Sequence, residues 1–260
     1  MDRHGVASWE AIQAEMTITP ACHLLFNFDA YHGCRYDKGS RTCAEPDHID
    51  ACSVPQAKLR NGRLNQTAHS FYLFVRDVAD GDLVGWIDER LRSVAVHDRP
   101  ARTLALQNAL IKPLRNVYGV SDKILTMTLS GLLIGACENR PLWFQAGCGM
   151  IAIDSLVHNF LHRTGILKRC GRPHGYGVGC YLEGGCAELV RSIAGQLDAR
   201  NYNASYPREF PRFVQHAIWR YCAADGLNVC NGNRIDDQSS CQNQYCRIYE
   251  KCDRNRLKYP

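Results

Sequence analysis

Three groups of side chains have the types and order to do chemistry. In "YGVSDK", Lys123 falls in the first turn of an apolar, helix-like run just after a turn at Gly119, and in "IDSLVHNFLHR", Asp154 opens a second such run. An amine can attack an electrophilic carbon and form a Schiff base, and a carboxylate can stabilise positive charge developing nearby. A lysine with the ordinary pKa of about 10.4 is a poor nucleophile at neutral pH, so this use requires desolvation or cationic neighbours. The third group, Cys230, Cys241, Cys246 and Cys252, follows the order C-x10-C-x4-C-x5-C. Four thiolates so close in sequence suit an iron–sulfur cluster or zinc equally by softness.

Each group also has a plainer use. Asp154 stands where a helix N-cap belongs, a role worth about 1 kcal/mol. A cation at a helix N-terminus opposes the macrodipole, which leaves either Asp122 compensating Lys123 or a functional reason for the lysine. The amides of Gly119, Val120 and Ser121 precede that N-terminus and could cradle a nucleic-acid phosphate. His158 and His162, four apart and without an acidic or cysteine neighbour in sequence, read as surface or phosphate-contacting residues. Cys22, Cys34, Cys43 and Cys52 contain no CxxC pair and read as part of an irregular packed extension rather than a zinc site.

The elements that must position these residues are helical. The 260 residues are 45% hydrophobic and 22% charged, enough for a substantial core in one large or two small domains. An amphipathic segment, "ASWEAIQAEM", precedes the first cysteines. Helical periodicity begins near Thr67, recurs at Leu83, Ile87 and Leu91, and resumes from Asp98 and Pro100 to Pro113, which should end or kink the helix. "CENRPLWFQAGCGMIAID" reads as a Gly- and Pro-punctuated connection and "GRPHGYGVGCYLEGG" as a Gly-rich loop; helices then return through "AELVRSIAGQLDA" and "FVQHAIWRYC". With no convincing strand pattern, the expected fold is all-α. No apolar run reaches membrane-spanning length, and "MDRHGVASWEAIQ" lacks a signal-peptide core, so a soluble intracellular protein without a membrane partner is expected. Fourteen cysteines in that setting point to ligation ahead of disulfides, with isolated ones such as Cys137 and Cys222 acting as small buried hydrophobes. A net charge of +5 permits a polyanionic partner, and the tail "RIYEKCDRNRLKYP", with Lys251 and Arg254, could meet phosphates.

Taken together, "VYGVSDKILTMTLSG", "IDSLVHNFLHR" and the terminal cysteines resemble the endonuclease III superfamily of helix-hairpin-helix DNA glycosylases. Lys123 falls on the lysine position of the bifunctional members and Asp154 on the catalytic aspartate. Ser121 departs from the family by replacing the second hairpin glycine. The interval between Lys123 and Asp154 is longer than usual, with "ENRPLWFQAGCGM" reading as an insertion whose Trp143 and Phe144 could line a base pocket. Only the last cysteine spacing coincides with the family's C-x6-C-x2-C-x5-C, and Gln66 is a poor match to its gap-filling glutamine.

The resemblance implies two helical lobes: an N-terminal extension over 1–65, a lobe with the hairpin over 66–165, and a C-terminal lobe with the cysteine motif over 166–260. It also implies a 4Fe-4S cluster at Cys230, Cys241, Cys246 and Cys252, with zinc as the alternative, and a monomer bound to double-stranded DNA. The expected activity is base excision on a flipped nucleotide, with or without an AP-lyase step. The rivals are a glycosylase-derived transferase of the phage thymine-hypermodification type and a non-enzymatic DNA-binding module.

Overall fold

The computed structural model describes residues 22–37, 39–52, 62–96, 99–136, 139–230 and 236–257. The amphipathic "ASWEAIQAEM", Cys137, Asp98 and Lys258 lie outside them. Among the described residues there are helices and no strand; the one extended pairing is an isolated bridge between Asp37 and Thr42. No helix among them is long and apolar enough to cross a membrane.

The α-helices in chain order are α1 (Phe28–Tyr31), α2 (Gly62–Asp77), α3 (Leu83–Arg92), α4 (Arg99–Leu114), α5 (Asp122–Gly135), α6 (Pro141–Gly149), α7 (Ser155–Arg163), α8 (Ile166–Arg169), α9 (Cys186–Gln196) and α10 (Pro211–Cys222). They group into two compact units, Met1–Leu125 and Thr126–Pro260. The division falls inside α5 and not at the positions near 65 and 165 drawn from sequence, so Asp154 shares a unit with the terminal cysteines.

In the first unit, α2 is the anchor. Phe74 meets Trp86 of α3 edge-on at 5.1 Å and Phe28 at 5.3 Å, and Ile87 and Leu91 bury the face set by the four-residue spacing. The extension before α2 is tied to it by polar contacts: Tyr31 Oη donates to the Gln66 carbonyl, Gln66 Nε2 donates to the Tyr36 carbonyl at 2.7 Å, and the Phe28 amide donates to Asp77. Gln66 is therefore a buried structural residue with its amide committed inside the fold. As expected, α4 stops one residue after Pro113.

The second unit is built on α7, α9 and α10, whose apolar faces enclose Ile153, Val157, Leu161, Leu167, Leu189, Val190 and Val214. Half of the stretch read as a connection, Pro141–Gly149, is helix. Pro141 occupies the first turn of α6, where its missing N–H costs nothing. Trp143 is buried with the Arg140 guanidinium 4.6 Å over its ring, and Phe144 packs toward Phe210, so both aromatics are committed to the interior.

Candidate metal centre and the adjacent aspartate

The hairpin-like turn comes first in the chain. Gly119 has φ of +71°, and the turn is clipped to α2 by Thr67 Oγ1 donating to the Tyr118 carbonyl and by the Tyr118 amide donating to Ser70 Oγ. Ser121 explains its own departure from glycine: its hydroxyl accepts from the Ile124 amide, a local N-cap for α5. Asp122 pairs with Arg115 through two hydrogen bonds, one of 2.6 Å. The Asp122 hydrogen bond, against a smaller opposing effect of burial, raises the Arg115 pKa and holds the guanidinium in its charged form. Lys123, half-buried, lies in the first turn of α5 at the end of the first unit, whereas Asp154 belongs to the second.

Asp154 caps α7. Its Oδ1 accepts the Val157 amide at 2.9 Å, the N-cap bond read from sequence. Among the described residues, Oδ2 accepts no hydrogen bond. The charge of Asp154 also reaches Arg212 of α10: burial pulls that guanidinium's pKa down, and the carboxylate works against the shift.

One turn further along α7 is His158, which the structure moves from the surface to the interior; it is only 5% exposed. Its Nδ1 lies 3.4 Å from Cys186 Sγ and 3.5 Å from Cys180 Sγ, while His174 Nε2 lies 3.3 Å from Cys186 Sγ. All four ligand atoms fall within 4.8 Å of one another. A tetrahedral ion with metal–nitrogen bonds of about 2.05 Å and metal–sulfur bonds of about 2.3 Å separates N from S by about 3.6 Å. These three N–S spacings are within a few tenths of an ångström of that and no pair of the four exceeds 4.8 Å, so the group could hold a metal ion once it contracts around it.

The Gly-rich loop supplies this geometry. His174 Nδ1 lies 2.9 Å from the Arg172 carbonyl, which selects the tautomer that leaves Nε2 facing the cysteines. Arg172 pairs with Glu188 at 2.8 Å, and the other Glu188 oxygen accepts the Gly184 amide, so one α9 carboxylate clasps both ends of the loop. Cys180 is pulled down to about 3, first by the Cys186 thiol and then, against burial, by His158. Cys186 is pushed up by its hydrogen bond with Cys180 and by burial. A bound cation would displace thiol protons and neutralise both thiolates.

The same loop braces the aspartate. Tyr181, next to Cys180, accepts the Ile153 amide at 2.9 Å and donates to the Ile153 carbonyl at 3.1 Å, which fixes the backbone immediately ahead of Asp154. The sequence carried one signal for this centre, H-x5-C-x5-C over His174, Cys180 and Cys186. It was hidden because the fourth ligand, His158, lies on another helix and neither cysteine pair has CxxC spacing.

At its other end α7 meets the terminal cysteines. The Asn255 amide donates to the Arg163 carbonyl at 3.0 Å, and Asn255 Nδ2 donates to the His162 carbonyl, taking up carbonyls a helix end leaves unpaired. Cys230, Cys241, Cys246 and Cys252 line one hollow together with Arg163, Arg254 and Tyr249. Their sulfurs are met by donors: the Asn243 amide at Cys241, the Arg254 amide at Cys252, and Tyr221 Oη 3.1 Å from Cys246. Cys222 is buried and hydrogen-bonded to Cys230, so it is more than apolar filling.

No family model, curated protein or solved structure matches the chain. The site must therefore be read from its own chemistry. The residues expected to touch DNA fare differently. Lys251 is exposed, but Arg254, in a left-handed backbone conformation at φ +58°, turns its guanidinium 4.7 Å over Tyr249 and donates to that residue's hydroxyl. Arg254 thus faces the cysteine hollow as well as its own loop.

Proposed function

We propose that the protein is a DNA base-excision enzyme that draws a modified or damaged nucleotide from the duplex and cleaves its N-glycosidic bond. The observation that carries this reading is Asp154, a carboxylate immobilised at one oxygen by the Val157 amide and supported from behind by the Tyr181 clamp on Ile153. A fixed negative charge with one oxygen uncommitted among the described residues suits stabilisation of a sugar that becomes cationic as its base departs, or activation of the water that replaces the base. The resemblance to helix-hairpin-helix glycosylases supports the same role. We read α4, the Gly119 turn and α5 as the hairpin, with the amides of Gly119 and Val120, together with Lys251, as phosphate contacts. Ser121 and Arg254 contribute to internal structure first. Lys123 is the proposed Schiff-base amine of an accompanying AP-lyase step.

Two inorganic groups belong to this proposal. Zinc suits His158, His174, Cys180 and Cys186, because two thiolates and two imidazoles form a closed tetrahedral set. A 4Fe-4S cluster suits Cys230, Cys241, Cys246 and Cys252: the thiols surround a hollow without gathering into a single-ion group of the kind formed at His158, and N–H···S bonds with two arginines favour an anionic centre. Both would hold structure and neither would touch the reacting bond.

The test is single-turnover incubation of the purified protein with duplexes carrying damaged, mismatched or hypermodified bases. Wild type should release a free base from at least one of them, and Asp154→Asn should lower that rate by a factor of 100 or more while binding the duplex as before, the scale of losing one electrostatic catalytic group. Undiminished release by the variant refutes the reading. A base that is altered but retained in the strand would point to transferase chemistry instead. Borohydride trapping on an abasic duplex tests Lys123: a covalent adduct that Lys123→Ala abolishes supports the lyase step, and no adduct in wild type removes it.

A further inference from the structure

The first unit contains four cysteines that the excision chemistry does not use. Cys22, Cys34, Cys43 and Cys52 come from separate turns of a 31-residue stretch whose ordered pieces are two 3-10 turns and the four-residue α1. They are spaced C-x11-C-x8-C-x8-C, a pattern that matches no short metal motif, yet all four line a single hollow. Among the described residues no cysteine is in a disulfide, so the convergence is not explained by cross-linking.

Three features connect this hollow to the terminal one. Each is lined by four thiols. The Tyr36 amide, two residues beyond Cys34, hydrogen-bonds that sulfur, repeating the arrangement of Asn243 on Cys241 and Arg254 on Cys252. Finally, the four thiols do not form the close single-ion group seen at His158. A lone tetrahedral zinc would draw four sulfurs to about 3.8 Å of one another, whereas a cluster interposes metal and sulfide between them.

The stretch also has a physical need for such a group. Its inner face is tied to α2 through Tyr31, Tyr36 and Phe28, but its outer turns have little apolar surface to bury: Cys43 is only half-buried, and Glu45 and His48 share the lining. Short irregular segments of this kind are commonly held by a metal where a core is lacking.

We propose that Cys22, Cys34, Cys43 and Cys52 bind a second, four-thiolate iron–sulfur cluster. The expected iron count rests on the terminal-cluster reading, and the assignment stands or falls separately from base excision.

The experiment is anaerobic purification of the full chain, followed by iron, acid-labile sulfide and zinc analysis with electron paramagnetic resonance of the reduced protein. Wild type should hold about eight irons and about eight sulfides per chain, as two four-iron clusters require. The double variant Cys34→Ser, Cys43→Ser should hold half that iron and sulfide with zinc unchanged; Cys241→Ser, Cys246→Ser should also lose half, with a different residual signal. About eight irons and about eight sulfides in wild type support the proposal even if a variant fails to fold. Four irons per chain that the N-terminal variant leaves intact would overturn the proposal. So would a second zinc that this variant removes.

Discussion

A single methyl group at Gly185 should cripple the His158 metal centre. Gly185 immediately precedes Cys186, and a Cβ there would lie 2.2 Å from the Gly179 carbonyl oxygen and 2.8 Å from both the carbonyl carbon and oxygen of Cys180. These are backbone atoms, so no side-chain rotation relieves the clash. Ordinary contact begins near 3.4 Å, which requires a relative displacement of about 1 Å in the peptide that carries the Cys180 ligand. Metal–ligand distances tolerate about 0.2 Å, so Gly185→Ala must either lengthen the bond to Cys180 or release that ligand. A loss of 10- to 100-fold in zinc affinity follows, the scale of disturbing the shell that orients a ligand, or about 1.4–2.7 kcal/mol. The control is Gly175→Ala in the same loop, where an added Cβ meets nothing within 4 Å. Competition against a chromophoric chelator measures both proteins. Equal zinc affinities for Gly185→Ala and wild type would refute the reasoning, as would an equal loss in Gly175→Ala.

Three further outcomes are expected. Tyr181→Phe removes both hydrogen bonds to Ile153 and should cost about 1–3 kcal/mol in urea denaturation, with slowed base release but unchanged zinc content. Gly165→Ala combines a φ of +79° with a Cβ placed inside the Asp253 carboxylate, so it should cost about 2 kcal/mol or more and loosen iron retention, read by denaturation and by iron loss during gel filtration. Burial lowers His69 to about 4. The unfolded chain then binds the extra proton between pH about 6.5 and 4, so this contribution is intact above 6.5 and is lost as pH falls through that window. About 2 kcal/mol should disappear between pH 7 and 5, and denaturation midpoints at the two values should differ less in His69→Leu.

The helical elements were legible because their apolar residues recur with the helix period and their caps are local: Asp154 announces α7, and Ile87 and Leu91 announce the buried face of α3. Pro141 misled in the opposite direction, since a Pro-Leu-Trp-Phe start after a charged turn reads as punctuation when it is the first turn of α6. The metal centre was illegible for a different reason. His158 looks like a surface residue from its i+4 partner His162, and only folding a 28-residue interval brings Cys186 to it. The N-terminal cysteines were obscured in the same way, because spacing rules detect ligands carried on one knuckle and these come from four turns. Ser121, by contrast, needed no tertiary information: a serine three residues ahead of an amide it can accept is an N-cap wherever it occurs.

Helix α7 is nine residues long and contains two histidines and an asparagine. Alone it is too short to persist in water, since nucleation outweighs what two turns return. Its first turn carries His158 and its last meets the loop that carries the terminal cysteines, so what occupies those two sites adds to the core packing of Val157 and Leu161 in holding it. An unloaded chain would hold the capped turn, and with it Asp154, by the Val157 amide and core packing alone. On the proposed reading, loading would steady the carboxylate: a metal-starved chain could still meet DNA but would release a base more slowly.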